Sequence, residues 1–145
     1  MKKGFTLIEL MVVVVVIGVL TALSIYGFRR FLPNYTLQQC LGSFTHFYYR
    51  EVHRFMGADT EQWVFEIEPG RDECYSDSLN SPVYRDTFRF SDYGVDVQCT
   101  GSIFIRVNKD GSVATPDSFT VVKTANGKTY SRIISINKLG EVSIK

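Results

Sequence analysis

The chain of 145 residues lacks most of what catalysis or metal binding requires. It has two histidines, His46 and His53, and three cysteines, Cys40, Cys74 and Cys99, at no metal-site spacing. Neither a zinc site nor a Cys–His nucleophile pair is indicated. No hydrolase, kinase or nucleotide-binding motif occurs, and nothing in the sequence requires a cofactor or a metal. An excess of one charge is also missing: 16 Lys and Arg stand against 15 Asp and Glu, which leaves no basic surplus for gripping phosphates and disfavours a nucleic-acid partner. What the chain does have is apolar material, 45% of its residues, with 14% aromatic. That is enough for the core of one folded domain.

The apolar residues are concentrated at the start. Lys2, Lys3 and Gly4 precede Phe5-Thr6-Leu7-Ile8-Glu9, and then Leu10 to Phe28 is a run of 19 residues without a charge. A helix rising about 1.5 Å per residue carries that run roughly 28 Å, the hydrocarbon thickness of a bilayer. Val12 to Val16 are five consecutive β-branched residues, weak helix formers in water, but in lipid a helix satisfies its own backbone. Lys2 and Lys3 at one end and Arg29 and Arg30 at the other leave the orientation open by charge alone. A cleaved secretory signal, with Ala22-Leu23-Ser24 as its cutting site, or an idle single-span anchor would account for the run. Neither accounts for Glu9, because an ionised carboxylate costs about 2.5–3.5 kcal/mol near the centre of a span and less at its edge. An amine exposed by cutting just before Phe5 would lie one helical turn away and compensate that charge.

Gly4-Phe5-Thr6-Leu7-Ile8-Glu9-Leu10-Met11-Val12 closely resembles the processing motif of type IV pilins and type II secretion pseudopilins. The resemblance implies that a prepilin peptidase cuts between Gly4 and Phe5 on the cytoplasmic side and methylates the new amine of Phe5. It implies that the apolar segment then serves as a bilayer anchor and later as a filament core. Glu9 would neutralise an N-terminal amine, commonly a neighbouring subunit's, during assembly. Loss of residues 1–4 removes Lys2 and Lys3 and leaves 14 basic against 15 acidic residues; from Phe31 onward the balance is 12 against 14. The exported part is mildly acidic, which again disfavours DNA.

Beyond the run, Pro33 interrupts the pattern, and Asn34 or Thr36 offers a cap for a renewed turn. Leu37, Cys40, Leu41, Phe44, Phe47, Tyr48 and Phe55 then recur at three- and four-residue spacing, which predicts an amphipathic helix to about Met56. Gln38, Gln39, His46, Arg50, Glu51 and Arg54 are expected to face mostly outward. After Gly57 the period becomes two. Trp63 to Ile67, Tyr84 to Phe90, Tyr93 to Cys99, Ser102 to Asn108, Phe119 to Lys123, Thr129 to Asn137 and Glu141 to Ile144 read as strands. Lys109-Asp110-Gly111, Asn126-Gly127 and Lys138-Leu139-Gly140 have the chemistry of tight antiparallel turns. Asp110 lacks the alternating oxygen ligands of a calcium loop. The class expected is α+β: a long N-terminal helix packed on a C-terminal antiparallel β-sheet domain.

The hairpin series Ile103–Gly111, Phe119–Val122 and Arg132–Val142 resembles the end of H-type minor pseudopilins and related minor pilins. Taken together, the two resemblances imply a leader at 1–4, a transmembrane and filament-core helix at 5–28, an amphipathic continuation at 29–56 and a periplasmic β-rich domain at 57–145. They also imply a non-enzymatic subunit of the type II secretion pseudopilus, a single-pass protein of the bacterial inner membrane. Its partners would be the prepilin peptidase, other major and minor pseudopilins and the inner-membrane assembly platform. A minor pilin of a type IV pilus or DNA-uptake system is the alternative. Outside the cytoplasm disulfides are permitted; Cys74 with Cys99 is the favoured pair and Cys40 with Cys99 its competitor. Asp59, Glu61, Glu66, Glu68, Asp72, Glu73 and Asp77 make the middle acidic, whereas Lys123, Lys128, Arg132, Lys138 and Lys145 make the end basic. Such patches are either solvated faces or complementary surfaces that set register between subunits.

Overall fold

The computed structural model describes residues 6–57, 62–78 and 81–145, and the side chains of these except 29, 30, 78 and 81–85. The chain divides into two compact units, Met1–Pro33 and Asn34–Lys145. Helix α1 spans Leu7–Met56 with Pro33 in its interior. The renewed start expected at Asn34 or Thr36 does not occur, because proline removes one amide donor and leaves the turns on either side to form their own bonds.

In the second unit every residue predicted for the helix stripe is buried, and Val52 joins them. Glu51 departs from expectation. It was expected to face outward, yet it is 1% exposed. It stands four residues from both Phe47 and Phe55, so the stripe's own spacing carries it inward. Arg50 Nε donates to its Oε1 at 3.0 Å and Ser76 Oγ to its Oε2 at 3.3 Å. Arg50 also reaches Asp86 at 2.5 Å. A buried carboxylate is tolerable only with such partners.

Among the described residues eight strands follow: β1 Gln62–Glu68, β2 Glu73–Ser78, β3 Ser81–Arg89, β4 Asp96–Gln98, β5 Ile103–Asn108, β6 Asp117–Ala125, β7 Lys128–Ile136 and β8 Val142–Ile144. They form two four-stranded sheets, ordered β3-β2-β1-β5 and β4-β6-β7-β8. All the pairings are antiparallel, so the α+β class is as expected. The period-two pattern of β1 puts Trp63, Phe65 and Ile67 inward. Helix residues meet both sheets through rings: Phe47 and Tyr48 on Phe65, Phe55 on Trp63, and Phe44 on Phe88 and Phe119.

Two strand expectations need correcting. Tyr93 to Cys99 is not one strand: Phe90–Tyr93 is a 3-10 turn closed by Gly94 at φ +58°, and only Asp96–Gln98 pairs. Strand β2 was not anticipated, because Glu73-Cys74-Tyr75-Ser76-Asp77-Ser78 has little β-branched character. Its place between β1 and β3 comes from pairing on both sides. Asp72, at φ +54°, joins the two sheets: its carbonyl accepts from Phe90 N–H at 2.8 Å and its carboxylate from Val97 N–H at 2.6 Å.

The three predicted turns form. Asn126 and Gly127, at φ +53° and +70°, close the β6–β7 hairpin between Ala125 and Lys128, the left-handed pair that a two-residue hairpin needs. Gly111 and Gly140 pack together, and a Cβ on Gly140 would stand 2.6 Å from the Gly111 carbonyl oxygen. Gly127→Ala, with open space around it, should cost about 1 kcal/mol through its backbone angle alone. Gly140→Ala should cost at least about twice as much, because a backbone contact must also shift. Chemical denaturation of the detergent-solubilised chain checks the order; equal losses would show that the turn contact is unimportant.

Candidate processing and assembly site

The structure places Thr6 immediately before the first helical residue and Glu9 in the first turn. Glu9 Oε2 accepts from the Thr6 backbone N–H and from Thr6 Oγ1, both at 2.8 Å, while Glu9 N–H donates to Thr6 Oγ1 at 3.4 Å. This reciprocal pair is a capping box, in which the helix's own unsatisfied donors hold the carboxylate. The T-x-x-E spacing ahead of an apolar run is the sequence signal for it. Gly4 and Phe5, the expected cleavage and methylation positions, lie outside the described residues.

After Glu9 the helix is long and apolar enough to cross a membrane, and none of its apolar window is buried within the protein. Two of its hydroxyls donate within the helix: Thr21 Oγ1 to the Ile17 carbonyl and Ser24 Oγ to the Leu20 carbonyl, each at 2.8 Å. Lipid offers no acceptor, so internal bonding of this kind is what a spanning segment requires.

The other singled-out residues take ordinary structural places. Among the described residues no group of three or more His, Cys, Asp or Glu is arranged to hold a metal. His46 and His53 are exposed on the helix. The Asp110 carboxylate accepts from the Ser112 hydroxyl at 2.5 Å and the Ser112 N–H at 2.9 Å, which hold it below the usual carboxylate range within its turn. All three cysteines are free thiols, so neither the Cys74–Cys99 bond nor the Cys40–Cys99 bond is present. Cys40 and Cys74 are fully buried and Cys99 half-buried. Burial pushes the Cys40 thiol up to about 12, against the opposing field of the Lys123 amine, and burial raises Cys74 as well.

The charge clusters are partly neutralised within the chain. Asp59 and Glu61 lie outside the described residues. Arg71 pairs with Glu68 at 3.4 Å, and Glu73 accepts from the Tyr75 hydroxyl and from Arg89, which together hold its carboxyl below the usual range. Lys123 donates to the Tyr93 and Gly94 carbonyls, capping the 3-10 turn.

Residues 1–25 match the prokaryotic N-terminal methylation motif. No curated protein and no solved structure matches the chain. The motif supports a type IV pilin-like or pseudopilin protein, and implies processing by a prepilin peptidase and assembly into pilus-like filaments. With the membrane-capable helix, it fits a membrane-anchored protein carrying a C-terminal domain. A structural role follows from such a family more naturally than an enzymatic one.

Thr6→Ala should weaken the helix start by about 1 kcal/mol. Amide exchange at Glu9 and Leu10 in detergent should then be roughly fivefold faster; unchanged exchange would mean that the box does not hold the first turn. In the reduced, folded chain at pH 8 one equivalent of iodoacetamide should react, at Cys99, and three after denaturation. Prompt labelling of Cys40 or Cys74 would contradict their burial.

Proposed function

We propose that the chain is a minor pseudopilin of a type II secretion system, most like the H-type subunit, and that it helps begin or cap a short periplasmic filament. The observation that carries this reading is Glu9, placed five residues after Gly4 at the head of a 19-residue uncharged run. The match to the methylation motif supports the processing step. The series of turns at Lys109–Gly111, Asn126–Gly127 and Lys138–Gly140 supports the assignment within the family.

On this reading an inner-membrane prepilin peptidase cuts between Gly4 and Phe5 and methylates the Phe5 amine. Residues 5–28 hold the chain in the bilayer, and residues 57–145 stand in the periplasm. Thr6 satisfies Glu9 while the subunit is alone in the membrane. In the filament the carboxylate compensates an N-terminal amine, and the anchor helix packs among those of other pseudopilins on the assembly platform. Transfer of a charged group between two compensated states avoids the cost of a bare carboxylate in an apolar medium.

Intact and N-terminal peptide mass spectrometry on protein from native membranes tests the processing. A chain beginning at N-methylated Phe5 is expected; a start near Ile25, or an intact Met1, would overturn the reading. Glu9→Ala should be cut as efficiently as the parent chain, with incorporation into sheared filaments reduced at least about tenfold, the equivalent of 1.4 kcal/mol or more. Normal incorporation of that variant would remove Glu9 from the mechanism.

A further inference from the structure

Two strand edges in the second unit are closed by the chain itself. Outside β5, Arg106 N–H donates to Thr115 Oγ1 at 2.9 Å, while Thr115 Oγ1 donates to the Phe104 carbonyl and Ala114 N–H to the Arg106 carbonyl, each at 2.8 Å. Outside β4, Asp72 takes the Val97 N–H. Such plugs keep an edge from pairing with another chain. Strand β6 is covered for only part of its length. Its partner β4 pairs from Asp96↔Val122 to Gln98↔Thr120 and ends, whereas β6 begins at Asp117. The Asn126-Gly127 turn makes Ala125 and Lys128 a bonded pair, so odd-numbered residues of β6 turn their peptide groups to β7 and even-numbered ones to β4. Ser118 therefore faces the line that β4 has left. Its carbonyl accepts no hydrogen bond from the described residues, and its N–H is held at 2.7 Å only by the carboxylate of its neighbour Asp117.

At this place lies a cleft of about 510 Å³, within the size range of ligand pockets. Ile103 and Phe119 give it a buried apolar part. Gln98, Thr100, Ser102 and Thr120 line it with side chains that make no hydrogen bond to the described residues. Asp117 is the one charge in the lining, exposed and without an ion-pair partner among the described residues. We infer that this cleft docks an extended polypeptide segment bearing a basic side chain, which continues the line of β4 along β6. A main chain is what a vacant strand position accepts: its N–H donates to the Ser118 carbonyl, and its carbonyl takes the Ser118 N–H. Asp117 then gives up that N–H and pairs with the incoming cation, whereas an acidic segment meets a like charge. The free hydroxyl and amide groups of the lining satisfy the polar atoms of the segment that enters. Two main-chain bonds and one exposed ion pair make a contact that forms and releases readily. The inference concerns the second unit alone and needs neither processing nor a filament, so its failure leaves the proposed function standing.

Cys99, the half-buried thiol, also lines the cleft and can report its occupant by reversible tethering on the full-length chain in detergent. The probe is a blocked peptide of alternating Thr and Val with one central Lys, ending in a cysteine held as a mixed disulfide with 2-mercaptoethanol. The Cys99 thiolate attacks the peptide sulfur, a Cys99–peptide disulfide forms, and 2-mercaptoethanol leaves and takes up a proton. Excess 2-mercaptoethanol keeps the exchange reversible, so the yield reads docking. The Lys peptide should be captured at least tenfold better than its Glu counterpart and than a Lys peptide methylated on alternate backbone nitrogens. Asp117→Lys should reverse the preference between Lys and Glu, with Cys40 and Cys74 still unreactive as proof of folding. If that variant unfolds, Asp117→Asn should bring the two peptides level. Equal capture of the Lys, Glu and methylated peptides by the parent chain would overturn the inference. So would capture of a thiol-bearing maltotetraose as efficient as that of the Lys peptide, which would assign the cleft to a glycan.

Discussion

The stripe from Leu37 to Phe55 has to be covered by two sheets at once, and the arrangement of the second unit follows from that demand. A single four-stranded sheet presents one face, too little to enclose the large rings of Phe44, Phe47, Tyr48 and Phe55. Phe88 and Phe90 meet Phe44 from the end of one sheet while Phe119 meets it from the other. The chain must therefore cross between sheets, and the crossing points are where its unusual local features lie. Asp72 bonds to the 3-10 turn and to β4, Lys123 caps that turn, and Gly111 and Gly140 allow two turns to meet. Each is a polar or backbone device whose purpose is to keep an aromatic core closed.

The first unit follows a different rule. Its side chains have no core to enter, so it needs a medium rather than a partner strand, and its polar groups are dealt with individually. Thr6 answers Glu9, and the Thr21 and Ser24 hydroxyls are bonded to their own helix. The one carboxylate between Leu7 and Phe28 sits at the helix start, where unsatisfied N–H groups and the positive end of the helix dipole favour a negative charge. A carboxylate two turns further along would have had neither.

Much of this was legible in the sequence because the signals are periodic. The helix stripe, the alternation in Trp63–Ile67 and the glycine turns all follow from spacing, and so does Glu9 as an anomaly in an uncharged run. What escaped is non-local. Glu51 fits the apolar stripe by position but reads as a surface residue by type; only Ser76, 25 residues away, and Arg50 make its burial acceptable. Strand β2 has a composition suited to a loop and exists because β1 and β3 both bond to it. The Thr6–Glu9 capping box is legible in its three-residue spacing, although a charge in an apolar run is the stronger signal at the same residue.

The internal bonding of Thr21 and Ser24 makes the helix surface from Leu10 to Ile25 indifferent to its surroundings. The hydroxyl donors on those side chains already have acceptors, so on the proposed reading acyl chains can be exchanged for neighbouring helices without a side-chain hydrogen bond being broken along that length. The exchange reduces to a difference in packing density, between a fluid of mobile chains and a wall of fixed side chains. On the proposed reading, ionic strength and membrane potential can then act on it only at the charged ends of the run. Bilayer fluidity, on the same reading, acts along the whole length.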